Sequence, residues 1–134
     1  MSTNAFFAQD WQESFTEALA MAKEVDKPLI LVFAGSDWCG PCIKLDKEIW
    51  QSAAFKEYSK DNFILYKADF PRKKANKLSG AFARQNEKLA EKYNSQGHFP
   101  LVVILDEEGN ILGKTGYNKG TPATYIAHLN TFLK

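Results

Sequence analysis

Cysteine is scarce in this sequence, because Cys39 and Cys42 are the only two among 134 residues. A small domain stabilised by disulfides would carry several cysteines spread along the chain. A closed structural zinc site needs four ligands, and the two histidines, His98 and His128, lie far from the cysteines in sequence. We therefore expect neither a disulfide scaffold nor a metal site.

Other features are missing as well. No apolar stretch approaches the roughly 18 residues that a membrane-spanning helix needs, so we expect no membrane insertion. Lys and Arg number 17 against 16 Asp and Glu, and the net charge of +1 gives no reason to expect nucleic acid as a partner. Because a glycine-rich phosphate loop and a nucleotide fingerprint are also absent from the sequence, we expect no bound cofactor.

The length suits one domain, and no repeat, low-complexity segment or linker divides the chain. We assign residues 10–134 to this domain and residues 1–9 to an N-terminal tail. The tail lacks the basic start of a signal peptide, yet residues 4–9 resemble the end of one, with the small Ala8 at a cleavage point. If residues 1–8 are the remnant of a trimmed signal, we favour an exported, periplasmic protein; otherwise the protein is expected in the cytoplasm.

Helical and strand patterns alternate along the chain. An apolar stripe predicts a helix over residues 11–24, capped by Asp10, and the unbroken apolar run at residues 29–34 predicts a strand buried on both faces. Further helices are predicted over residues 40–59 (interrupted near Ser52), 80–93 and 121–133. Further strands are predicted over residues 63–69, 101–105 and 111–117. This order predicts an α/β fold in which about four helices flank a mixed central sheet of four or five strands.

The two cysteines stand where the buried strand gives way to a helix, in the motif Cys39-Gly40-Pro41-Cys42. At a helix start, unpaired N–H groups and the helix dipole stabilise a thiolate at Cys39. Pro41 suits this turn because no backbone donor is needed there, and Gly40 leaves the approach to Cys39 open. We predict that Cys39 attacks a disulfide and that Cys42, which we expect to be more buried, resolves the intermediate. The alternative is two buried apolar cysteines that happen to be neighbours.

The segment around the motif resembles thioredoxin. Trp38 precedes the two cysteines, and the wider pattern from Phe33 to Glu48 is more similar to bacterial thioredoxin-like proteins related to the end domain of the disulfide reductase DsbD. The resemblance extends over residues 11–133. It implies a thioredoxin fold and a redox-active Cys39–Cys42 disulfide that acts on protein disulfides and is recharged by a separate electron-donating reductase. We expect the protein to be a monomer.

The resemblance also assigns the residues around the cysteines. Pro100 matches the proline that is cis in the family and faces the redox pair, where the main chain of Phe99 is left free to pair with a substrate peptide. A proline that simply starts a strand is the alternative. Trp38, Gly40 and Pro41 are implied to shape the site and its substrate surface, and for Trp38 a packing role is the alternative. Trp11 and Trp50 are assigned to packing.

The sequence departs from thioredoxin beneath the resolving cysteine. Thioredoxin carries an acidic residue on its first central strand there, whereas residues 29–34 contain no ionisable group. The group that accepts the proton of Cys42 is therefore left open. Asp37 and Glu48 are expected to be solvated, and Asp69 is a weaker candidate.

Two further positions bear on partner choice. Leu101 stands where thioredoxin has threonine after its cis proline. The basic segment at residues 72–77 is an addition beside the end of the second strand, and we expect a solvated loop there, with the docking of an acidic partner as the alternative. His98 is interpreted as a loop histidine without a role, and His128 is assigned none.

These residues favour an enzyme, a thiol–disulfide oxidoreductase, and more specifically a dithiol reductase of protein disulfides. The Gly40–Pro41 pair resembles thioredoxin, whose reduction potential is about −270 mV. A disulfide oxidase or isomerase uses the same atoms in another direction. A redox-inactive binding or chaperone module is the hypothesis of a different class, since fold alone does not establish activity.

Overall fold

The apolar run predicted as a doubly buried strand lies at the centre of the fold. It forms β1 (Leu29–Ala34), and each of its residues is buried. β1 pairs in parallel with β2 (Ile64–Asp69) and antiparallel with β3 (Leu101–Leu105), which pairs antiparallel with β4 (Ile111–Thr115). These strands form one mixed sheet, ordered β2-β1-β3-β4, in the computed structural model, which describes residues 11–133. The predicted α/β architecture is confirmed.

The first helix begins later than the apolar stripe predicts. α1 spans Phe15–Val25, because the side-chain oxygen of Ser14 accepts a hydrogen bond from the backbone N–H of Glu17 at 3.1 Å and caps the helix there. The cap predicted at Asp10 lies outside the described residues, as do the tail assigned to residues 1–9 and the last residue of the chain.

Trp11 and Gln12 pair with a strand instead of opening that helix. Trp11 forms an isolated parallel bridge with Leu65, and the N–H of Gln12 donates to the carbonyl of Leu65 at 2.9 Å. Because β2 is an edge strand, this segment covers part of its open edge. The prediction of a helix at residues 11–14 is therefore wrong. Pairing with the sheet satisfies backbone groups of this segment, and a local sequence pattern cannot indicate such a distant partner.

The helix predicted from residue 40 is divided, as the break expected near Ser52 indicates. α2 (Gly40–Leu45) continues into a π-helical turn (Asp46–Trp50), and α3 (Ala53–Asn62) starts after Ser52. The Ser52 hydroxyl accepts from the N–H of Phe55 at 3.1 Å and provides the new cap. With α4 (Gly80–Tyr93) and α5 (Pro122–Asn130), the described residues contain five α-helices where about four were expected.

The helices divide between the two faces of the sheet. α1 and α4 pack on the face that carries Leu31 and Phe33, whereas α2, α3 and α5 pack on the face that carries Ile30 and Val32. Trp50 is 1% exposed, and its ring centroid lies 4.8 Å from that of Phe55 and 5.6 Å from that of Tyr125. The packing role predicted for Trp50 is confirmed, because its indole joins the π-helical turn to α3 and α5.

Smaller differences concern the ends of elements. β2 begins one residue later than predicted, β4 ends at Thr115, and α5 gives way to a 3₁₀ turn (Thr131–Leu133). Ile43 and Leu133 are apolar yet exposed, with exposed fractions of 37% and 36%. Ile43 faces outward because its neighbours Cys42 and Leu45 take the buried side of α2. Across residues 11–133, no helix has both the length and the apolar character required to cross a membrane.

Candidate active site

The junction between β1 and α2 positions the two cysteines. Cys39 is the N-cap of α2, with an extended backbone, and Pro41 occupies the first turn. The two sulfur atoms form a disulfide, with Cα atoms 5.2 Å apart, and the N–H of Cys42 donates to Sγ of Cys39 at 3.2 Å. When the disulfide is reduced, a thiolate at Cys39 is favoured by this hydrogen bond and by the free N–H groups of the helix start.

Both cysteines are shielded in the disulfide form. Their exposed fractions are 5% for Cys39 and 4% for Cys42, so Cys42 is the more buried of the two by a small margin. The bonded sulfur atoms cover one another, which makes their exposure nearly equal. Gly40 and Pro41 are exposed beside them, and a Cβ placed on Gly40 would meet no atom within 4 Å. The approach beside Cys39 is open at this point.

Aromatic side chains join the cysteine motif to the start of β3. The peptide bond between Phe99 and Pro100 is cis. The rings of Trp38 and Phe99 meet edge to face, with centroids 5.5 Å apart, and Nε1 of Trp38 donates to the carbonyl of Phe70 at 2.7 Å. Trp38 is half-buried, and Phe99 and the Arg72 guanidinium pack against its ring.

The position of the Trp38 ring depends on Gly35. A Cβ on Gly35 would lie 2.2 Å from Cε2 of Trp38, which is far inside van der Waals contact. The indole therefore lies directly against the backbone of residue 35. Any larger residue there would displace it.

Asp37 is not simply solvated, so that expectation is corrected. Its carboxylate accepts hydrogen bonds from the backbone N–H groups of Arg72 and Lys73, at 2.9 and 3.0 Å, and from the side-chain amide of Asn76 at 3.0 Å. The bond from Arg72, followed by that from Asn76, lowers the pKa of Asp37 to about 2. The local sequence around Asp37 does not indicate this contact, because the donors lie more than thirty positions away.

The other two acidic candidates also have partners. The carboxylate of Asp69 accepts from the N–H of Ser36 at 2.9 Å and from its hydroxyl at 2.5 Å. The hydroxyl of Tyr117 donates to Glu48 at 2.7 Å, which raises the pKa of Tyr117. Asp69 thus fixes the turn after β1, and Glu48 is exposed but hydrogen-bonded rather than only solvated.

A pocket of about 170 Å³ opens beside Cys42, and Trp50, Asp46 and Lys67 are among the other residues that line it. The ammonium group of Lys67 lies 3.3 Å from Oδ1 of Asp46, and the two side chains are 28% and 29% exposed. These two residues were absent from the sequence-based candidates. One signal was available: Lys67 is a charge inside a mostly buried strand, and Asp46 follows Cys42 by one helical turn.

The histidines lie away from the disulfide contacts described above. His98 is exposed in the loop before Phe99, with its ring 3.2 Å from the side-chain oxygen of Gln96. The ring of His128 lies 2.8 Å from the hydroxyl of Thr115. Nowhere between residues 11 and 133 do three His, Cys, Asp or Glu side chains form a group that could hold a metal ion.

Comparison with known proteins agrees with this geometry. The family model described as thioredoxin-like matches residues 10–107. The disulfide bond reductase DsbH of Chlamydia pneumoniae is 37% identical over 122 residues, a span that covers 91% of this chain and 72% of that protein. The thioredoxin-related protein DsbJ of the same organism is 28% identical, and the match covers 92% of this chain but 37% of DsbJ.

Solved structures give the same result. A structure titled DsbH oxidoreductase superposes with a TM-score of 0.85 at 34% identity, and the match covers 99% of this chain and 91% of that one. A thioredoxin from Thermus thermophilus superposes with a TM-score of 0.69 at 15% identity, covering 93% and 87% of the two chains, which is a likeness of fold alone. The chain therefore belongs to the thioredoxin-like family and is a thiol–disulfide oxidoreductase of the Dsb type.

Proposed function

We propose that this protein is a dithiol reductase of protein disulfides, in which Cys39 attacks and Cys42 resolves. The observation that carries the proposal is the position of the Cys39 sulfur at the start of α2, where it accepts the N–H of Cys42 at 3.2 Å. A thiolate is the reactive form of a thiol in disulfide exchange, and this position favours it at Cys39 rather than at Cys42.

The reaction proceeds in two exchanges. The Cys39 thiolate attacks one sulfur of the substrate disulfide, so that a mixed disulfide forms and one substrate thiolate leaves and takes up a proton. Cys42 then loses its proton and attacks Sγ of Cys39, which forms the Cys39–Cys42 disulfide and releases the second substrate thiol. Two electrons and two protons pass to the substrate. An external dithiol, which is itself oxidised to a disulfide, restores the reduced pair.

Asp46 is the acceptor that we assign to the proton of Cys42. It lines the same pocket as Cys42, and its Oδ2 accepts a hydrogen bond from the side-chain amide of Gln51. Lys67, 3.3 Å away, keeps a positive charge beside the carboxylate. The side chains of Lys67 and Asp46 are 28% and 29% exposed, so this carboxylate is partly screened from bulk solvent.

The substrate peptide is proposed to lie along the start of β3. By the resemblance to the family, we assign the pairing with the peptide to the main chain of Phe99, directly before Pro100. Trp38, Gly40 and Pro41 form the opposite side of this surface. In this arrangement the substrate sulfur approaches Cys39 from the exposed side of the motif.

The reductive direction has two supports. The Gly40–Pro41 pair resembles thioredoxin, a reductant with a potential of about −270 mV. The relative from Chlamydia pneumoniae, 37% identical, is named as a disulfide bond reductase. We further propose that residues 10–134 act as one monomeric domain on disulfide-containing proteins and receive electrons from a separate reductase.

Insulin-disulfide reduction with dithiothreitol tests the catalytic role of Cys39. The wild type is expected to shorten the delay before insulin precipitates, and Cys39→Ser is expected to match dithiothreitol alone. Cys42→Ser, the matched control, should attack but accumulate the mixed disulfide, which mass spectrometry detects. Equal rates for the wild type and Cys39→Ser would support a redox-inactive binding module instead.

The direction is tested by the equilibrium of the Cys39–Cys42 pair in glutathione buffers. A reductase is expected to have a potential near that of thioredoxin, about −270 mV. A potential near that of the oxidase DsbA, about −120 mV, would contradict the reductive direction and favour an oxidase.

A further inference from the structure

Positive charge is concentrated at one segment next to the redox motif. Residues 72–77, here called the cationic strap, carry Arg72, Lys73, Lys74 and Lys77 in a chain whose net charge is only +1. Each residue of the strap is exposed. The ion pairs found between residues 11 and 133 involve Lys23 and Lys67, so no carboxylate of this part of the chain lies within 4 Å of a strap cation.

The strap is held by Asp37 through backbone and side-chain amide donors rather than through an ion pair within 4 Å, although the charge of Lys73 also acts on this carboxylate. Asp37 receives the backbone N–H groups of Arg72 and Lys73 and the side-chain amide of Asn76, all within 3.0 Å. Backbone and amide donors therefore occupy the carboxylate of Asp37, and the ammonium groups of the strap remain available to a partner.

Arg72 brings the strap to the proposed substrate surface. Its guanidinium carbon lies 3.7 Å from the centroid of the Trp38 ring, a cation–π contact. Trp38 directly precedes Cys39 and meets Phe99 at a centroid distance of 5.5 Å. A peptide that pairs beside Pro100 and presents its sulfur to Cys39 therefore passes close to Arg72.

We propose that the cationic strap selects the substrates of this protein by binding acidic polypeptide segments, so that disulfides flanked by Asp or Glu are reduced preferentially. The inference deepens the reductase function proposed above and rests on it. Complementary charge raises the rate of productive encounter without changing the exchange chemistry. The preference is therefore expected in kcat/KM, while kcat for a bound substrate stays the same.

Two disulfide peptides that differ only in flanking Glu or Gln residues provide the test, with dithiothreitol as the reductant that restores the dithiol. At low salt the wild type is expected to reduce the Glu peptide about tenfold faster, in kcat/KM, than the Gln peptide. At about 1 M salt, where the screening length falls to about 3 Å, most of the preference should disappear.

A triple variant, Lys73→Gln with Lys74→Gln and Lys77→Gln, removes three strap charges and keeps the backbone donors to Asp37. This variant is expected to reduce both peptides with the kcat/KM that the wild type shows for the Gln peptide. The matched control, Lys23→Gln with Lys88→Gln and Lys92→Gln, removes three exposed charges on α1 and α4 and should keep the preference.

The outcomes separate the two proposals. Equal kcat/KM for both peptides in the wild type, or a preference that survives in the strap variant, would overturn the strap inference while leaving the reductase function intact. Failure of the wild type to reduce either peptide would overturn both. Loss of the preference in the control variant would show that net charge, and not the strap, attracts the peptide.

Discussion

Among single residues, Asp37 has the most clearly perturbed environment near the redox motif. Hydrogen bonds from Arg72, Asn76 and Lys73 hold the pKa of its carboxyl at about 2, below the ordinary value of 3.8. Because the folded pKa is lowered, the stabilisation by these bonds is fully present above about pH 4. It is lost as the pH falls through about 2.

Amide chemical shifts measured during an acid titration test this assignment. The amides of Arg72 and Lys73 are expected to shift together with a midpoint near pH 2, and Asp37→Asn should abolish that transition. The amides of β1 serve as the control for global unfolding. A midpoint near 3.8 would mean that the strap is not bound to this carboxylate in solution.

Asp46 is the residue whose substitution should separate the two exchange steps. In Asp46→Asn the side chain keeps its shape but cannot take the proton of Cys42, so resolution should slow about a hundredfold, the lower end of the effect of a positioned base. The first attack by Cys39 should keep its rate. Rapid acid quenching of the reaction with a disulfide peptide, followed by mass spectrometry, measures both steps.

Asp61→Asn, an exposed substitution on α3, is the matched control and should leave both steps unchanged. An unaltered resolution rate in Asp46→Asn would mean that water, and not Asp46, accepts the proton of Cys42.

At the scale of elements, the cap at Ser52 separates the active-site helix from α3. The Ser52 hydroxyl accepts the N–H of Phe55 at 3.1 Å and donates to the carbonyl of Ile49 at 2.7 Å. Ser52→Ala removes both bonds and is expected to lower the free energy of unfolding by about 1 kcal/mol.

Urea unfolding followed by circular dichroism measures this loss. Ser52→Asp should retain much of the stability, because aspartate also caps helices. Ala54→Ser, an exposed substitution in the same helix, is the control for helix propensity. If Ser52→Ala were as stable as the wild type, the division between the two helices would be imposed by packing rather than by the cap.

Elements with strong local patterns were predicted from the sequence nearly residue by residue. α4 has the predicted bounds, and β1 and β3 coincide with their apolar runs. The predictions failed where a distant partner decides the conformation. Trp11 lies in a helical pattern but pairs with Leu65, and no local signal reports that an edge strand is available.

The same limit applies to the site. The Cys39–Cys42 disulfide was predicted because its members are three positions apart and both belong to one turn. The contact between Lys67 and Asp46 joins residues 21 positions apart, and that between Asp37 and Arg72 joins residues 35 positions apart. Such contacts depend on the parallel pairing of β1 and β2, so they emerge only once the sheet is assembled.

For the whole molecule, one buried side chain connects stability to the redox site. Trp50 is 1% exposed, contacts Phe55 and Tyr125, and lines the pocket beside Cys42. Trp50 thus stabilises the packing on the sheet face beneath α2, α3 and α5. It also lines the space around the thiol of Cys42. A cavity at this position should weaken the fold and disturb resolution together.

Trp50→Ala is therefore expected to lower the free energy of unfolding by about 3–5 kcal/mol, the usual cost of truncating a buried aromatic. Urea unfolding of the oxidised protein measures the loss, and the remaining indoles of Trp11 and Trp38 report the transition. Leu112→Ala, at a position that is 41% exposed on β4, is the control and should cost no more than about 1 kcal/mol. Similar losses of unfolding free energy in the two variants would mean that the packing around Trp50 is not the centre of this core. The π-helical turn would then be positioned by its backbone alone.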